Sequence, residues 1–299
     1  MKSVLLPLIL FLALSLNAQD VKVSSGKVVR HAFFNSEYVD ARTVDVWLPN
    51  GYSKDKQYAV LYMHDGQMLF DARNTWNKQE WGVDEVMTTL MSNQRIRDCI
   101  VVGIWNNAEK RHAEYFPQRG WKLTPSDQQK KILEMENVYI NPEIFEQGML
   151  ADRYLRFIVR ELKPYIDKTY STKADKANTF IMGSSMGGLI SCYAICEYPG
   201  IFEGAICMST HWPAADGITI NYLKHNLPNP RSHRFYFDYG TATLDSLYEP
   251  YQLHVDSLLL LNGYTMNKNL VSKKFEGAEH TEAAWRERLH IPLELMLKE

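Results

Sequence analysis

Cysteine is scarce in this chain: Cys99, Cys192, Cys196 and Cys207 are the only four among 299 residues, and each is embedded in an apolar run. Four such thiols exclude the disulfide lattice of a small extracellular scaffold and read as small core residues. An oxidising compartment would permit one bridge, for which Cys196 with Cys207 is one candidate pairing that the sequence does not place. An excess of positive charge is also missing. Lys and Arg total 33 against 35 Asp and Glu, a formal net charge of -2 with no basic stripe, which excludes nucleic acid as a partner. No Pro/Ser/Gly-rich linker, internal repeat or low-complexity segment divides the chain, so a single domain is expected. The apolar run from Val4 to Leu16 falls short of the roughly 20 residues that span a bilayer. Behind Met1-Lys2 and before Leu16-Asn17-Ala18 it has the three parts of a secretory signal peptide, residues 1–18, with cleavage before Gln19. The expected mature protein, 19–299, is periplasmic or secreted, without stable membrane insertion, and loses only Lys2 as a charge.

The remaining sequence alternates strands and helices. Val28 to Phe34 and Thr43 to Leu48 alternate apolar and polar residues, as half-exposed antiparallel strands do. Tyr58 to Met63, Cys99 to Ile104 and Thr179 to Met182 are continuous apolar runs, expected of parallel strands covered on both faces. Further strands are expected at Gly204 to Met208, Arg234 to Asp238 and Leu270 to Phe275. Between them, Trp81 to Leu90 reads as a helix, and Leu155, Ile158, Leu162 and Tyr165 form an apolar face at helical spacing. The pattern predicts an α/β fold with a mostly parallel sheet. A polar, irregular stretch from about Asn106 to Ile144 interrupts it and reads as an insert, either a cap over a site or a solvent-facing excursion.

Gly183-Ser184-Ser185-Met186-Gly187 places a serine between glycines directly after an apolar run and before a small-residue helix. A sharp strand-to-helix turn holds a serine hydroxyl clear of the backbone only if its flanking positions carry no side chain, which makes Ser185 the expected nucleophile. Such a serine needs a base and an orienting carboxylate, following it in the order acid, then histidine. His280 lies just beyond the last expected strand and before Thr281, a helix cap, which is where the base belongs; His225 and His254 sit on helical stretches. For the acid, Asp238, Asp245 and Glu249 compete near the end of one strand. Asp245 is the choice, because Asp238 is still on the strand and Glu249 begins the next helix. The N–H groups of Met186 and of Gln67, beside Gly66 in the loop after an early strand, are the expected oxyanion donors. His64 in that loop reads as structural, since no His/Cys/carboxylate cluster of metal spacing accompanies it and no metal is expected.

These segments together, His64-Asp65-Gly66-Gln67, Trp81-Gly82-Val83-Asp84, Val101 to Ile104, Tyr165-Ile166-Asp167, the Ser185 elbow, Tyr239-Gly240-Thr241 leading to Asp245, and Gly277 to His280, resemble the esterase D and enterochelin esterase-like branch of the α/β-hydrolases. That branch includes family 1 carbohydrate esterases such as feruloyl and acetylxylan esterases. The resemblance implies a carboxylic ester substrate, small-molecule or glycan, the triad Ser185, Asp245 and His280, oxyanion donors Gln67 and Met186, and no cofactor. It leaves the substrate open, because such enzymes vary in the insert. Trp81, His211 and Trp212 are expected substrate-binding residues, with core packing an equal alternative for Trp81. Carbohydrate-linked acetyl or hydroxycinnamoyl esters come first and siderophore trilactones second. An acyltransferase of the same fold and a catalytically silent binding module are the competing functions.

Overall fold

The computed structural model describes residues 21–298 except 136–138, 142–143 and 146–147. The expected signal peptide therefore lies outside the described residues. Eight strands form one sheet: β1 (Lys27–Phe34), β2 (Arg42–Leu48), β3 (Ala59–His64), β4 (Cys99–Ile104), β5 (Thr179–Ser184), β6 (Gly204–Met208), β7 (Arg234–Gly240) and β8 (Leu270–Phe275). Their spatial order is β1-β2-β4-β3-β5-β6-β7-β8. The first two strands pair antiparallel, β2 pairs antiparallel with β4, and every later pairing is parallel. This is the mostly parallel sheet with flanking helices expected of an α/β-hydrolase.

Both faces are covered, so β3, β4 and β5 are buried at every position and mostly apolar. In β3, Val60 and Tyr62 join the core on one side while Leu61 and Met63 join the core on the other. The first core takes in α7 (Met186–Glu197) and the insert; the second takes in α1 (Val83–Ser92), α10 (Glu282–Arg288) and α11 (His290–Leu297). The parallel register aligns strand ends, pairing His64 with Ile104, Ser184 with Met208 and Met208 with Asp238. The loops after β3, β5, β6, β7 and β8 therefore meet along one edge of the sheet, where ligands of open α/β sheets bind.

Two expectations are corrected here. Among its described residues the stretch 106–144 carries three helices, α2 (Arg111–Tyr115), α3 (Gln118–Leu123) and α4 (Ser126–Leu133). Its helices are short because Pro117 and Pro125 each punctuate the chain, and short helices blur the 3.6-residue period. Much of it is core: Tyr115, Phe116, Trp121 and Ile132 are buried against the sheet. In the helical run from α5 (Ala151–Arg156) to α6 (Lys163–Thr169), Leu155, Ile158 and Leu162 are buried but Tyr165 is exposed, and Ile166 faces inward instead. The intervening turn, Phe157–Leu162, is π-helical, and its wider spacing advances the buried face by one residue.

The insert is tied to the sheet by a buried ion pair, in which both terminal nitrogens of Arg42 on β2 donate to Glu114 on α2 at 2.9 and 2.7 Å. Both side chains are almost wholly excluded from water. Replacing Arg42 with Met would leave the Glu114 carboxylate buried without its partner, a loss of about 3–5 kcal/mol. A urea unfolding series should show the midpoint fall accordingly, whereas the double variant with Glu114→Gln should recover part of the loss.

Candidate active site

β5 ends at Ser184, and the next residue, Ser185, turns the chain into α7 with φ 56° and ψ -123°, a conformation that non-glycine residues rarely adopt. The turn is closed by packing: a Cβ at Gly183 would stand 2.6 Å from the Gly187 backbone, and one at Gly188 would stand 2.9 Å from the Thr210 hydroxyl. The glycines are therefore a steric condition of the elbow. Ser185 N–H donates to the Met208 carbonyl at 3.0 Å and the Ser185 carbonyl accepts from His211 N–H at 3.1 Å, so the backbone on both sides of the hydroxyl is fixed.

Asp245 lies in a 3₁₀ turn, Thr243–Leu247, beyond β7 and is buried. Its Oδ1 is 2.5 Å from His280 Nδ1, while Oδ2 accepts from Ser209 Oγ at 2.5 Å and from Gly240 N–H at 2.6 Å. Burial alone would raise the Asp245 carboxyl, but the hydrogen bond and charge of His280, with Ser209 and Gly240, hold it below its ordinary value. The carboxylate is thus ionised and its neighbour carries a proton on Nδ1, leaving Nε2 available as a base. His280 is partly exposed, is fixed by its own N–H to Thr243 Oγ1 at 2.9 Å, and packs edge-on against Trp285 at 4.9 Å. The other two carboxylates have different work. Asp238 pairs with Arg288, and Glu249 opens α9 (Glu249–Leu261) and pairs with Lys274.

Ser185 and His280 share one cleft of about 930 Å³. Gln67 lines it and is the second residue of a 3₁₀ turn, Gly66–Met68; Met186 is the first residue of α7. Backbone N–H groups at such positions have no partner within their own turn and are free to bind an oxyanion. Gly66 permits the turn to approach β4: a Cβ there would stand 2.5 Å from the Gly103 backbone. The preceding Asp65 has φ 56° and is clamped by Arg111 from the insert at 2.8 and 2.7 Å and by Asn106 at 2.6 Å. His64 is buried, with Nδ1 2.8 Å from the Tyr154 hydroxyl, and burial depresses it to about 3, so it stays neutral and packs the loop from beneath.

Trp81 lines the cleft while buried, and packs against Trp285 with ring centroids 5.3 Å apart and ring planes inclined by 34°. His211 and Trp212 are placed behind the elbow, outside the cleft lining. Trp212 is buried against Phe237 and donates its indole N–H to Gln252. His211 Nε2 faces the Tyr139 carbonyl at 2.7 Å, so it carries the proton, and Nδ1 accepts from the Tyr248 hydroxyl at 2.7 Å. Burial lowers His211 to about 4 and keeps it neutral. The Tyr248 hydroxyl also reaches the Ser185 side chain, a contact with no sequence signal, since a tyrosine at the start of a helix is unremarkable. Trp76, Trp105, Asn74, Asn77 and Arg111 also line the cleft. Trp76 was discoverable as an aromatic in a polar loop.

The uncharacterised protein YjcH of Bacillus subtilis is 26% identical over 187 residues, covering 62% of this chain and 63% of the relative. The endo-1,4-beta-xylanase/feruloyl esterase of Xylanibacter ruminicola is 24% identical over 229 residues, covering 72% of this chain and 24% of that protein. The chain therefore matches less than two thirds of the length of either. Among solved structures, the enterobactin esterase FES of Shigella flexneri superposes with a TM-score of 0.65 at 17% identity, over 90% of this chain and 58% of that one, a likeness of fold. The family model described as "Putative esterase" matches residues 36–291, spanning the elbow, the Asp245 turn and the His280 loop, and the chain belongs to that esterase family.

Proposed function

We propose that the protein is a secreted or periplasmic serine carboxylesterase acting on carbohydrate-linked acyl esters. The observation that carries this reading is the Asp245–His280 hydrogen bond at one end of a cleft that also holds Ser185 at a strained elbow. His280 Nε2 takes the proton of Ser185 as Oγ attacks the ester carbonyl, and the Gln67 and Met186 N–H groups receive the oxyanion. Collapse expels the alcohol, protonated by His280. Water, deprotonated by the same nitrogen, then releases the acid and regenerates Ser185. Export rests on the apolar run behind Lys2.

The cleft lining favours a sugar over a siderophore on the alcohol side. The exposed indole of Trp76 offers a stacking surface above a cleft lined by Trp81 and Trp105, and the side-chain amides of Asn74, Asn77, Gln79 and Asn106 add polar groups for hydroxyls. A catecholate siderophore is anionic when metal-bound and calls for unpaired cations. Here the lining cation Arg111 is already paired with Asp65, and Glu282 adds a further carboxylate. Trp76 is 82% exposed at the rim, held by a loop whose Asn77 donates to Glu282 at 2.6 Å.

A panel of nitrophenyl acetate, feruloylated and acetylated xylo-oligosaccharides and a trilactone siderophore tests the reading, with product analysis separating hydrolysis from transfer to added sugar. Sugar esters should give the highest kcat/KM. Trp76→Ala should raise KM for the oligosaccharide roughly two- to tenfold and leave nitrophenyl acetate unchanged. Preference for the siderophore, or transfer outrunning hydrolysis, would displace this assignment.

A further inference from the structure

We infer that Ser209 is a positioning residue for Asp245, its hydroxyl hydrogen directed at the carboxylate by Trp285 and by an Arg288–Asp238 ion pair. This rests on Asp245 serving as the acid of the triad. Ser209 follows β6 and is buried, with φ 41°, a conformation costly to a residue bearing Cβ. Its Oγ accepts from Trp285 Nε1 at 3.0 Å and from Arg288 Nη2 at 2.9 Å. Indole and guanidinium nitrogens only donate, so both lone pairs of the hydroxyl are taken and its one hydrogen must go to Asp245 Oδ2, 2.5 Å away.

Arg288 is itself held by Asp238, through Nε to Oδ2 at 3.2 Å and Nη2 to Oδ1 at 3.1 Å. Asp238 also accepts from the Tyr236 hydroxyl at 3.0 Å and from Ser209 N–H at 3.2 Å. The arrangement places a buried cation one hydroxyl away from Asp245 and neutralises it from behind. A direct Arg288 contact would satisfy the Asp245 carboxylate and weaken its hold on His280. With Ser209 interposed, Asp245 receives an oriented dipole and keeps its Oδ1 for the imidazole. The same short segment continues to His211, whose N–H holds the Ser185 carbonyl, so one loop locates both the nucleophile and the acid.

Ser209→Ala removes the hydroxyl, and Ser209→Gly removes it while relieving the backbone, so at least one should fold. Without this donor the Asp245 carboxylate is no longer held square to the imidazole, which slows the chemical step, and it becomes more basic, which favours the protonated imidazole. Expected in both variants are a fall in kcat of about 10- to 100-fold, the size of one hydrogen bond to a charged group, an unchanged KM, and a shift of the acid limb of the kcat/KM profile to higher pH. The downfield proton resonance of the Asp245–His280 hydrogen bond should move in both variants. That resonance reads the network even if the wild-type protein hydrolyses no ester in the panel, so failure of the esterase reading and failure of this one are separable. An unmoved resonance in a folded variant, with or without lower stability, overturns the assignment.

Discussion

Alanine at Ser185 is expected to lower kcat for nitrophenyl acetate by roughly 10⁵- to 10⁶-fold while leaving the fold intact. The large factor follows from what remains. Without Oγ, His280 has no proton to take and no acyl-enzyme can form, so hydrolysis must proceed by direct attack of water, with only binding and the proposed oxyanion donors, the Gln67 and Met186 amides, still contributing. The intact fold follows from the backbone. At φ 56° alanine carries the same Cβ penalty as serine, so the strain is unchanged, whereas Ser185→Gly should relieve it and raise the unfolding midpoint. Opposite movements of activity and stability in Ser185→Gly would identify the elbow as strain maintained for chemistry. Equal rates in wild type and Ser185→Ala would refute Ser185 as the nucleophile.

Much of this was legible because the sheet is parallel and covered on both faces. Continuous apolar runs such as Cys99 to Ile104 and Gly204 to Met208 are strands to within a residue, and the glycines around Ser185 mark where a Cβ cannot fit. Position relative to the strands then separated His280 from His225 and His254, which are exposed on helices. What remained hidden depends on contacts between segments distant in sequence. Nothing near Ser209 announces that Trp285 and Arg288, more than seventy residues on, will fill its lone pairs. The insert hid its helices because they are short and broken by proline, and His211 and Trp212 were read as pocket residues because β6 ends just before them. They instead turn behind the elbow, where Tyr248, just before α9, and Gln252, on α9, receive them. The two carboxylates at the end of β7 were separated only by position, and the structure supplies the physical distinction.

Asp245→Asn and Asp238→Asn should consequently fail in different ways. All three contacts to Asp245 come from donors: Ser209 O–H, Gly240 N–H and the His280 Nδ1–H. Asparagine has one oxygen and one NH₂ group. If its oxygen takes the Oδ2 site, where two donors converge, the NH₂ faces His280 and requires Nδ1 to accept. The imidazole proton then moves to Nε2 and points at Ser185, so the base is lost while the packing survives. A drop in kcat of about 10⁴-fold with a modest change in unfolding midpoint is expected, the penalty of the wrong tautomer. Asp238→Asn leaves that hydrogen bond untouched and strips Arg288 of its buried counter-ion, with a stability loss of about 3–5 kcal/mol. Its kcat per folded molecule should stay within about tenfold of wild type, because Asp238 reaches the triad only through Arg288 and Ser209 and one such hydrogen bond is worth little more. Steady-state kinetics paired with urea unfolding of both variants decides the matter. If Asp238→Asn abolishes turnover while Asp245→Asn does not, the acid of the triad is Asp238.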